Sequence, residues 1–179
     1  FNSGGTLASC TACPDPELMT TAGSPQASLE DCKCIGNLEL HDGVCGCPPG
    51  KSYDALSRVC VACTDQEYQP FFGLNSCQQC ADSILMSTAG TLKSSISDCK
   101  CIGNLKRLGD SCVCAAGFEY DPNQRYCTSC SSTSYKAGDN MNACASCPDA
   151  ALMSTANTAK DSAASCVCVN NLVLIDGAC

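Results

Sequence analysis

The cysteines are the residues of this chain whose type and spacing could carry chemistry. There are 21 of them among 179 residues, and they recur as C-x2-C and C-x-C pairs. Such pairs can hold zinc, form a redox-active dithiol or close disulfides. Zinc knuckles need further Cys or His ligands at short range, and a redox-active C-x2-C needs a βαβ context. Neither pattern is visible in a chain with one His, so the predicted chemistry is disulfide formation.

The cysteine positions repeat with a constant period along the chain. Cys10, Cys77 and Cys144 are evenly spaced, and every other cysteine belongs to a series with the same step, which we call the repeat period. A full unit is C-x2-C-x18-C-x-C-x10-C-x-C-x12-C-x2-C-x13 and aligns without insertions. We predict residues 1–9 as the tail of a preceding unit, 10–76 as repeat 1, 77–143 as repeat 2 and 144–179 as a partial repeat 3. We expect the chain to be an excerpt of a longer array.

The composition leaves little material for a hydrophobic core. Leu, Ile, Val and Phe make up about 17% of the chain, below the ~20% expected of chains that bury a core. The predicted fold class is small disulfide-rich repeats, namely an elongated tandem array of short β-hairpins and single helical turns with little hydrophobic core. The cysteine content also predicts an oxidising compartment, extracellular or at the cell surface.

Short motifs within each unit predict the elements that position the cysteines. An aspartate follows each C-x2-C pair and is predicted to N-cap one helical turn: Asp15, Asp82 and Asp149. Residue types that tolerate left-handed backbone come next and would close that turn: Gly23, Gly90 and Asn157. The segments GKSYD (50–54) and GFEYD (117–121) predict the first strand of a hairpin. We expect Tyr53 and Tyr120 in these strands to be packing groups.

Two stretches of the unit resemble known cysteine-rich modules. CGCPPGKSYDALSRVC (45–60) and its copy CVCAAGFEYDPNQRYC (112–127) resemble the second half of an EGF-like module. CVACTDQEYQPFFGLNSCQQC (60–80) and CTSCSSTSYKAGDNMNACASC (127–147) are similar to ephrin-receptor-like and tumour-necrosis-factor-receptor-like repeats. The C-x18-C-x-C segment departs from the EGF-like pattern, because a standard EGF-like module has more than one residue between its second and third cysteines.

Two disulfide pairings remain open. Joining each cysteine to its next free neighbour gives the pairs Cys13–Cys32, Cys34–Cys45, Cys47–Cys60, Cys63–Cys77, Cys80–Cys99, Cys101–Cys112, Cys114–Cys127, Cys130–Cys144, Cys147–Cys166 and Cys168–Cys179. Cys10 is then left unpaired, and the period puts its mate upstream of Phe1. The EGF resemblance implies a crossed pairing instead, with Cys13–Cys34 and Cys32–Cys45, while Cys47–Cys60 is kept.

The other polar residues give weaker signals for a site. His41 aligns with Leu108 and Ile175 in the other copies, so we expect it on a tolerant surface turn. Three acids near turn glycines could offer carboxylates to calcium: Asp42, Asp110 and Asp176. The acidic cluster of calcium-binding EGF-like modules is not matched, and no nucleophile, base and orienting group recur together. We therefore expect no enzyme, no metal and no cofactor.

The net charge and the hydropathy of the chain exclude some classes of binding partner. The formal net charge of −8 argues against nucleic acid, and the longest apolar stretch, near Leu172–Ile175, is far shorter than a membrane span. No Asn-x-Ser/Thr sequon is present. Ser/Thr-rich loops provide candidates for O-glycans: Thr20, Thr21, Ser87, Thr88, Ser154 and Thr155.

Two functions compete for such a chain. A strict repeat suits a rod, and we predict a segment of an extracellular or cell-surface fibre, similar to the cysteine-rich glycoproteins of protist and algal flagellar hairs (mastigonemes). Its partners would be further copies or other fibre chains. The alternative is a stalk or ligand-binding ectodomain of a receptor or adhesin. Phe71 and Phe72 favour this alternative, because they have no apolar counterpart in the next copy.

Overall fold

The computed structural model describes residues 11–22, 28–176 and 179 of the chain. These residues form eighteen short β-strands and three 3₁₀ turns, without a longer helix. Each odd-numbered strand pairs with the strand that follows it, which gives nine two-stranded hairpins in the described residues. The predicted class of small disulfide-rich repeats with short hairpins is therefore confirmed.

The elements recur with the period of the sequence. The strands are β1 Met19–Thr20, β2 Lys33–Cys34, β3 Glu39–His41, β4 Val44–Gly46, β5 Lys51–Asp54, β6 Val59–Ala62, β7 Glu67–Tyr68, β8 Gln78–Gln79, β9 Met86–Ser87, β10 Lys100–Cys101, β11 Lys106–Leu108, β12 Ser111–Val113, β13 Phe118–Asp121, β14 Tyr126–Ser129, β15 Ser134–Tyr135, β16 Ala145–Ser146, β17 Met153–Ser154 and β18 Val167–Cys168. The 3₁₀ turns are Leu29–Asp31, Ile96–Asp98 and Ala163–Ser165. Strands β9 to β18 each begin one repeat period after strands β1 to β10.

Ten disulfides join the described cysteines. Every bond links a cysteine to the next one along the chain, as in the neighbour scheme, and the crossed pairing of Cys13 with Cys34 does not occur. The bonded residues lie 5.5–5.8 Å apart between Cα atoms, which is the usual range for disulfides. Cys10 lies outside the described residues.

The chain divides into two compact units. Unit 1 is Phe1–Cys80 with Ser87–Cys99, and unit 2 is Ala81–Met86 with Lys100–Cys179. The chain changes unit at three points, which are the two ends of the loop closed by the Cys80–Cys99 disulfide and one point within that loop, after Met86. The repeat boundaries at residues 10, 77 and 144 follow from the cysteine register alone and stay a prediction.

The buried apolar material gathers around the disulfides. In unit 1 a cluster of cysteines holds Leu18, Met19 and Leu38, and Tyr53 packs against it from the side. In unit 2 a smaller cluster joins Met153 to the Cys147–Cys166 disulfide. Covalent bonds with a few large side chains thus take the place of a continuous core, as the low content of branched aliphatic residues predicts.

The aspartate caps after the C-x2-C pairs are confirmed. Oδ1 of Asp15 accepts hydrogen bonds from the backbone N–H groups of Glu17 and Leu18, both at 3.1 Å. The N–H of Met19 donates to the carbonyl of Asp15 at 2.8 Å, which completes one helical turn. The same caps form at the two equivalent positions, Asp82 and Asp149.

The predicted closing residues of these turns are wrong, whereas the predicted hairpins are confirmed. Each capped turn runs directly into a strand, so no left-handed residue closes it. Gly90 has a φ of +74° but belongs to a later turn, left-handed backbone occurs at Lys160 rather than at Asn157, and Gly23 lies outside the described residues. Strands β5 and β13 form where GKSYD and GFEYD predict them, paired with β6 and β14.

Candidate functional site

A buried threonine ties two disulfide loops together in unit 1. Thr88, in the loop closed by Cys80–Cys99, has no exposed surface. Its Oγ1 donates to the carbonyl oxygens of Thr64 at 3.2 Å and Glu67 at 3.0 Å. Its N–H donates to the carbonyl of Asp65 at 2.7 Å. We call this set of contacts the Thr junction, because it fixes one disulfide loop on the next.

The same junction forms in unit 2, atom for atom. Thr155 has no exposed surface, and its Oγ1 donates to the carbonyls of Ser131 and Ser134, both at 3.1 Å. Its N–H donates to the carbonyl of Ser132 at 2.7 Å. Each of these residues lies one repeat period after its counterpart in unit 1. The junction depends on backbone carbonyls, so only the threonine itself has to recur.

A lysine reinforces each Thr junction. Nζ of Lys93 donates to the carbonyl of Cys63 at 2.7 Å and to Oδ1 of Asp65 at 2.8 Å, and Lys160 bonds in the same way to the carbonyl of Cys130. Both lysines have left-handed backbone, with φ of +57° and +59°. Such a conformation costs a non-glycine residue about 1–3 kcal/mol. The hydrogen bonds of the two lysines therefore stabilise a backbone conformation that is unfavourable without them.

Two glycines let the loops of the junction approach each other. A Cβ placed on Gly50 would clash with the carbonyl oxygen of Leu92, and one on Gly117 would lie 2.7 Å from that of Ala159. Both glycines also have positive φ, at +86° and +80°. These positions therefore admit no side chain, because a substitution would both strain the backbone and push the loop away.

A second repeated contact explains the asparagine of the DCKCIGNL run. Nδ2 of Asn37 donates to the carbonyl of Cys60 at 2.9 Å, and the N–H of Cys60 donates back to Oδ1 at 2.6 Å. Asn104 and Cys127 form the same pair of bonds in unit 2, at 2.9 and 2.7 Å. We call this contact the Asn junction. It replaces a missing strand partner with a side-chain amide, which offers one donor and one acceptor.

The candidate O-glycan residues fall in the Thr junctions. The proposals for Thr88 and Thr155 are therefore corrected: both hydroxyls are buried and bonded to carbonyls, so a sugar could attach only if the junction opened. Ser87 and Ser154 also donate to backbone carbonyls, both at 3.0 Å. The two remaining candidates lie in the same register one unit earlier and are half-buried: Thr20 and Thr21.

Sequence reasoning missed these junctions, although the register contained a signal for them. Threonine occupies positions 21, 88 and 155, while the residues two places later differ in the third copy. The polar composition of the Ser/Thr-rich segments predicts loops that could carry O-glycans, and composition alone does not predict a buried hydroxyl. A hydroxyl can be buried when it donates to backbone carbonyls, so the threonine that recurs in all three copies indicates the junction better than the polarity of the segment does.

One hairpin face of unit 1 carries the half-buried ring of Phe72 beside exposed side chains. Glu39, His41 and Val44 share a side of the β3–β4 hairpin with Phe72. The rings of His41 and Phe72 lie 5.2 Å apart between centroids, and Gly46 makes room for Phe72, since a Cβ there would lie 2.7 Å from its ring. We call these side chains the Phe72 face. They border a groove of about 330 Å³ that Pro48 and Pro49 also line.

The equivalent face of unit 2 is built from an ion pair. Nζ of Lys106 lies 2.5 Å from Oδ2 of Asp139, and these residues take the positions of Glu39 and Phe72. Oδ1 of Asp139 accepts from the N–H of Ala116 at 3.1 Å. The hydrogen bond from Lys106 lowers the pKa of Asp139, and the bond from Ala116 adds to the effect. The two units thus have one fold and different surface chemistry here.

A buried polar position also differs between the units. Lys136 in unit 2 is 3% exposed, and its Nζ donates to the carbonyls of Cys114 at 3.0 Å and Asn140 at 2.6 Å. Burial lowers the pKa of Lys136. In unit 1 the position is Gln69, 1% exposed, whose amide donates to the carbonyl of Ser76 at 2.5 Å. The neutral amide and the buried ammonium therefore bond to carbonyls at different positions of the repeat, because Ser76 aligns with Ala143.

The residues considered for metal binding or catalysis do not come together. Asp42 lies beside His41 at 3.5 Å, and Asp110 lies 3.8 Å from Arg107. In residues 11–22, 28–176 and 179, no group of three or more His, Cys, Asp or Glu side chains is placed to hold a metal ion. The described part of the chain also contains no helix with the length and apolar character of a membrane span.

Comparison with known proteins finds a similarity to a protein that contains EGF-like domains. No family model matches the chain. It is similar to the "Signal peptide, CUB and EGF-like domain-containing protein 2" of Danio rerio, with 28% identity over 144 residues. The similarity covers 78% of this chain and 12% of that protein. With the ten disulfides, it supports an EGF-like repeat of extracellular or cell-surface type, a fold typical of non-enzymatic structural proteins and ectodomains.

Proposed function

We propose that the chain is a structural repeat segment of an extracellular or cell-surface fibre, of the kind formed by the cysteine-rich glycoproteins of mastigonemes. One observation carries the proposal: the Thr and Asn junctions recur one repeat period apart with the same donor and acceptor atoms. In a linear array of repeats, identical neighbour contacts impose the same rise and rotation at every step. That regularity is the property that a fibre needs.

The chemistry of the recurring side chains supports the same proposal. Thr88 and Asn37 use their polar atoms on backbone carbonyls or amides of a neighbouring loop, and Lys93 bonds to a backbone carbonyl and to the carboxylate of Asp65. The polar atoms of these side chains are already hydrogen-bonded within the fold, so they are not available to bind a substrate. Substitutions in the neighbouring loop should weaken these contacts little, because most of the atoms that the side chains bond to belong to the backbone.

Small-angle X-ray scattering on chains with increasing numbers of these repeats tests the proposal. We expect the maximum dimension to grow by a constant increment per repeat, while the cross-section stays constant. Growth of the radius of gyration with roughly the 0.38 power of chain length, as in globular proteins, would contradict it. Cryo-electron microscopy of native material should then show a filament whose axial period is a multiple of that increment.

A second function, the stalk or ligand-binding ectodomain of a receptor or adhesin, is favoured by one observation. The Phe72 face of unit 1 has no counterpart in unit 2, where Lys106 and Asp139 replace Glu39 and Phe72. A fibre of equivalent repeats does not require such a difference, whereas a ligand-binding module does. A soluble ligand that binds unit 1, and is lost on Phe72→Asp, would support this function over the fibre.

A further inference from the structure

We propose that the Phe72 face of unit 1 binds a lysine or arginine side chain presented by a different, basic protein. The groove beside the face has a volume of about 330 Å³ and is lined by Glu39, Leu40, His41, Pro48, Pro49 and Phe72. This volume is more than enough to admit one long side chain. The inference does not depend on a filament, because a single chain contains the whole groove.

The lining residues match the two parts of a basic side chain. The prolines and the ring of Phe72 offer apolar surface for a methylene stem, which Lys and Arg bury readily while their charged ends stay in water. The face of an aromatic ring also attracts the cation itself. Glu39 is exposed at the rim and takes part in none of the ion pairs found in the described residues. Its carboxylate can therefore receive a charge-assisted hydrogen bond.

The second unit supplies an internal comparison for this site. At the same two positions it carries Lys106 and Asp139, whose charged atoms lie 2.5 Å apart. The fold thus accommodates an ammonium group against a carboxylate at this place. Unit 1 has the carboxylate, Glu39, without a cation beside it, and Phe72 where unit 2 has the second charge. A cation from outside would complete the pair in unit 1.

The groove of unit 1 is not a requirement of the fold. Pro48 and Pro49 are replaced by Ala115 and Ala116 in unit 2, and Phe72 is replaced by Asp139, yet strands β11 and β12 pair as β3 and β4 do. The half-buried ring of Phe72 is therefore not needed for the pairing of these strands, and the part of it that solvent reaches is available for an interaction.

Charge indicates which protein supplies the cation. Unit 1 contains ten acidic and four basic side chains, a formal charge of −6 within the −8 of the whole chain. A second copy of this chain is repelled by such a field, whereas a basic segment is attracted and steered to it. We therefore assign the occupant to a basic protein rather than to another copy.

The experiment uses proton NMR, since His41 is the only histidine of the chain and its ring protons lie next to Phe72. The probe is a short peptide with lysines on both sides of a proline, titrated at low salt and fixed pH. The matched peptide has the same lysines acetylated, which removes their charge. We expect saturable shifts of the His41 protons with the charged peptide alone. Equal shifts with the acetylated peptide would overturn the proposal.

Three variants locate the binding. Glu39→Gln should weaken binding of the charged peptide about two- to fivefold, as expected for one exposed ion pair. Phe72→Leu keeps the groove apolar and should also weaken it, because the cation loses the aromatic face. Glu30→Gln removes the same charge from unit 1 away from the groove and should leave the affinity within error.

Two results contradict the assignment. If Glu30→Gln weakens binding as much as Glu39→Gln does, the peptide responds to the overall charge rather than to the groove. If sedimentation shows that the chain self-associates and that Glu39→Gln abolishes it, the occupant is a second copy. Neither result bears on the fibre proposal, which is tested by the growth of dimensions with repeat number.

Discussion

The junctions and the hairpin faces of this chain differ in how they vary between the two units. The Thr junction keeps the same residue, atoms and burial at Thr88 and Thr155, whereas the Phe72 face of unit 1 has Asp139 in place of Phe72 in unit 2. The threonines are fully buried, whereas the face is formed by exposed and half-buried side chains, so the constant residue is the one that packing constrains. The fold constrains the contacts that join one loop to the next and leaves the outer faces free to diverge.

This contrast separates what stabilises the chain from what gives each unit its chemistry. Junction contacts use the backbone of the neighbouring loop as partner, which exists whatever the sequence of that loop. The faces use side chains on both sides, such as Lys106 with Asp139, so a change on one side requires a change on the other. Variants that move residues between the units should show this directly.

Removing a disulfide from the constant framework should have the largest effect. Cys114 and Cys127 are buried and close a loop with a sequence separation of 13. The double variant Cys114→Ala, Cys127→Ala should lower the free energy of unfolding by about 2–5 kcal/mol, because the unfolded chain regains the entropy of an open loop. Urea denaturation followed by hydrogen exchange of the β13–β14 amides measures it.

The equivalent pair in unit 1 serves as the control for that variant. Cys47 and Cys60 have the same separation, so the double variant Cys47→Ala, Cys60→Ala should cost a similar amount. A difference of more than about 2 kcal/mol between the two losses, beyond the usual spread of such measurements, would mean that the framework is not equivalent in the two units.

Breaking a Thr junction should have the next largest effect. Thr155→Val keeps the size of the side chain and removes the hydroxyl that donates to Ser131 and Ser134. Because buried carbonyls then lose their donor, we expect a loss of about 1–3 kcal/mol, seen as faster hydrogen exchange in the loop closed by Cys147–Cys166. Thr88→Val should behave alike in unit 1. Ser83→Ala, on an exposed loop, should change neither rate; equal effects for Ser83→Ala and Thr155→Val would contradict a role of the junction.

The sequence predicted the framework better than the junctions, for a physical reason. Disulfide loops, the hairpins at β5 and β13, and the caps at Asp15 and Asp82 follow from spacing and residue type within a short stretch of chain. Thr88 is buried because a loop that is distant in sequence offers its carbonyls, and no local pattern records that approach. The same limit led polar loops to be interpreted as glycan carriers. The Phe72 face was visible as a difference between copies, whereas its groove depends on Pro48 and Pro49 folding against it.

Replacing one residue of the Phe72 face by its unit 2 counterpart should destabilise unit 1 unless the residue that packs against it is replaced as well. In Gly46→Val the new Cβ would lie 2.7 Å from the ring of Phe72 and 2.8 Å from Cα of Gly73, so overpacking should cost about 1–3 kcal/mol. Phe72→Asp removes the ring and should recover part of that loss. A double-mutant cycle by urea denaturation should give a coupling of at least about 0.5 kcal/mol. Strict additivity would show that the two positions change independently.

The smallest effect concerns the buried position at which the units differ, Lys136 in place of Gln69. Burial lowers the pKa of Lys136 in the folded chain, so on raising the pH the folded state releases its proton before the unfolded state does. Within that window the unfolded state binds more protons, and the free energy of unfolding of unit 2 rises with pH. The rise ends near the pKa of an unfolded lysine, about 10.4.

Lys136→Gln gives unit 2 the residue of unit 1 and should remove this rise, while the titration of the tyrosines stays common to both proteins and cancels. Urea denaturation at a series of pH values from about 7 to 10, spanning the range below the ordinary lysine pKa, measures the two slopes under non-reducing conditions. The parent should gain stability relative to the variant as the pH increases. Parallel slopes would mean that the carbonyls of Cys114 and Asn140, with Asp139 and Glu119 nearby, compensate the ammonium fully, and that the two units tolerate charge and amide equally at this position.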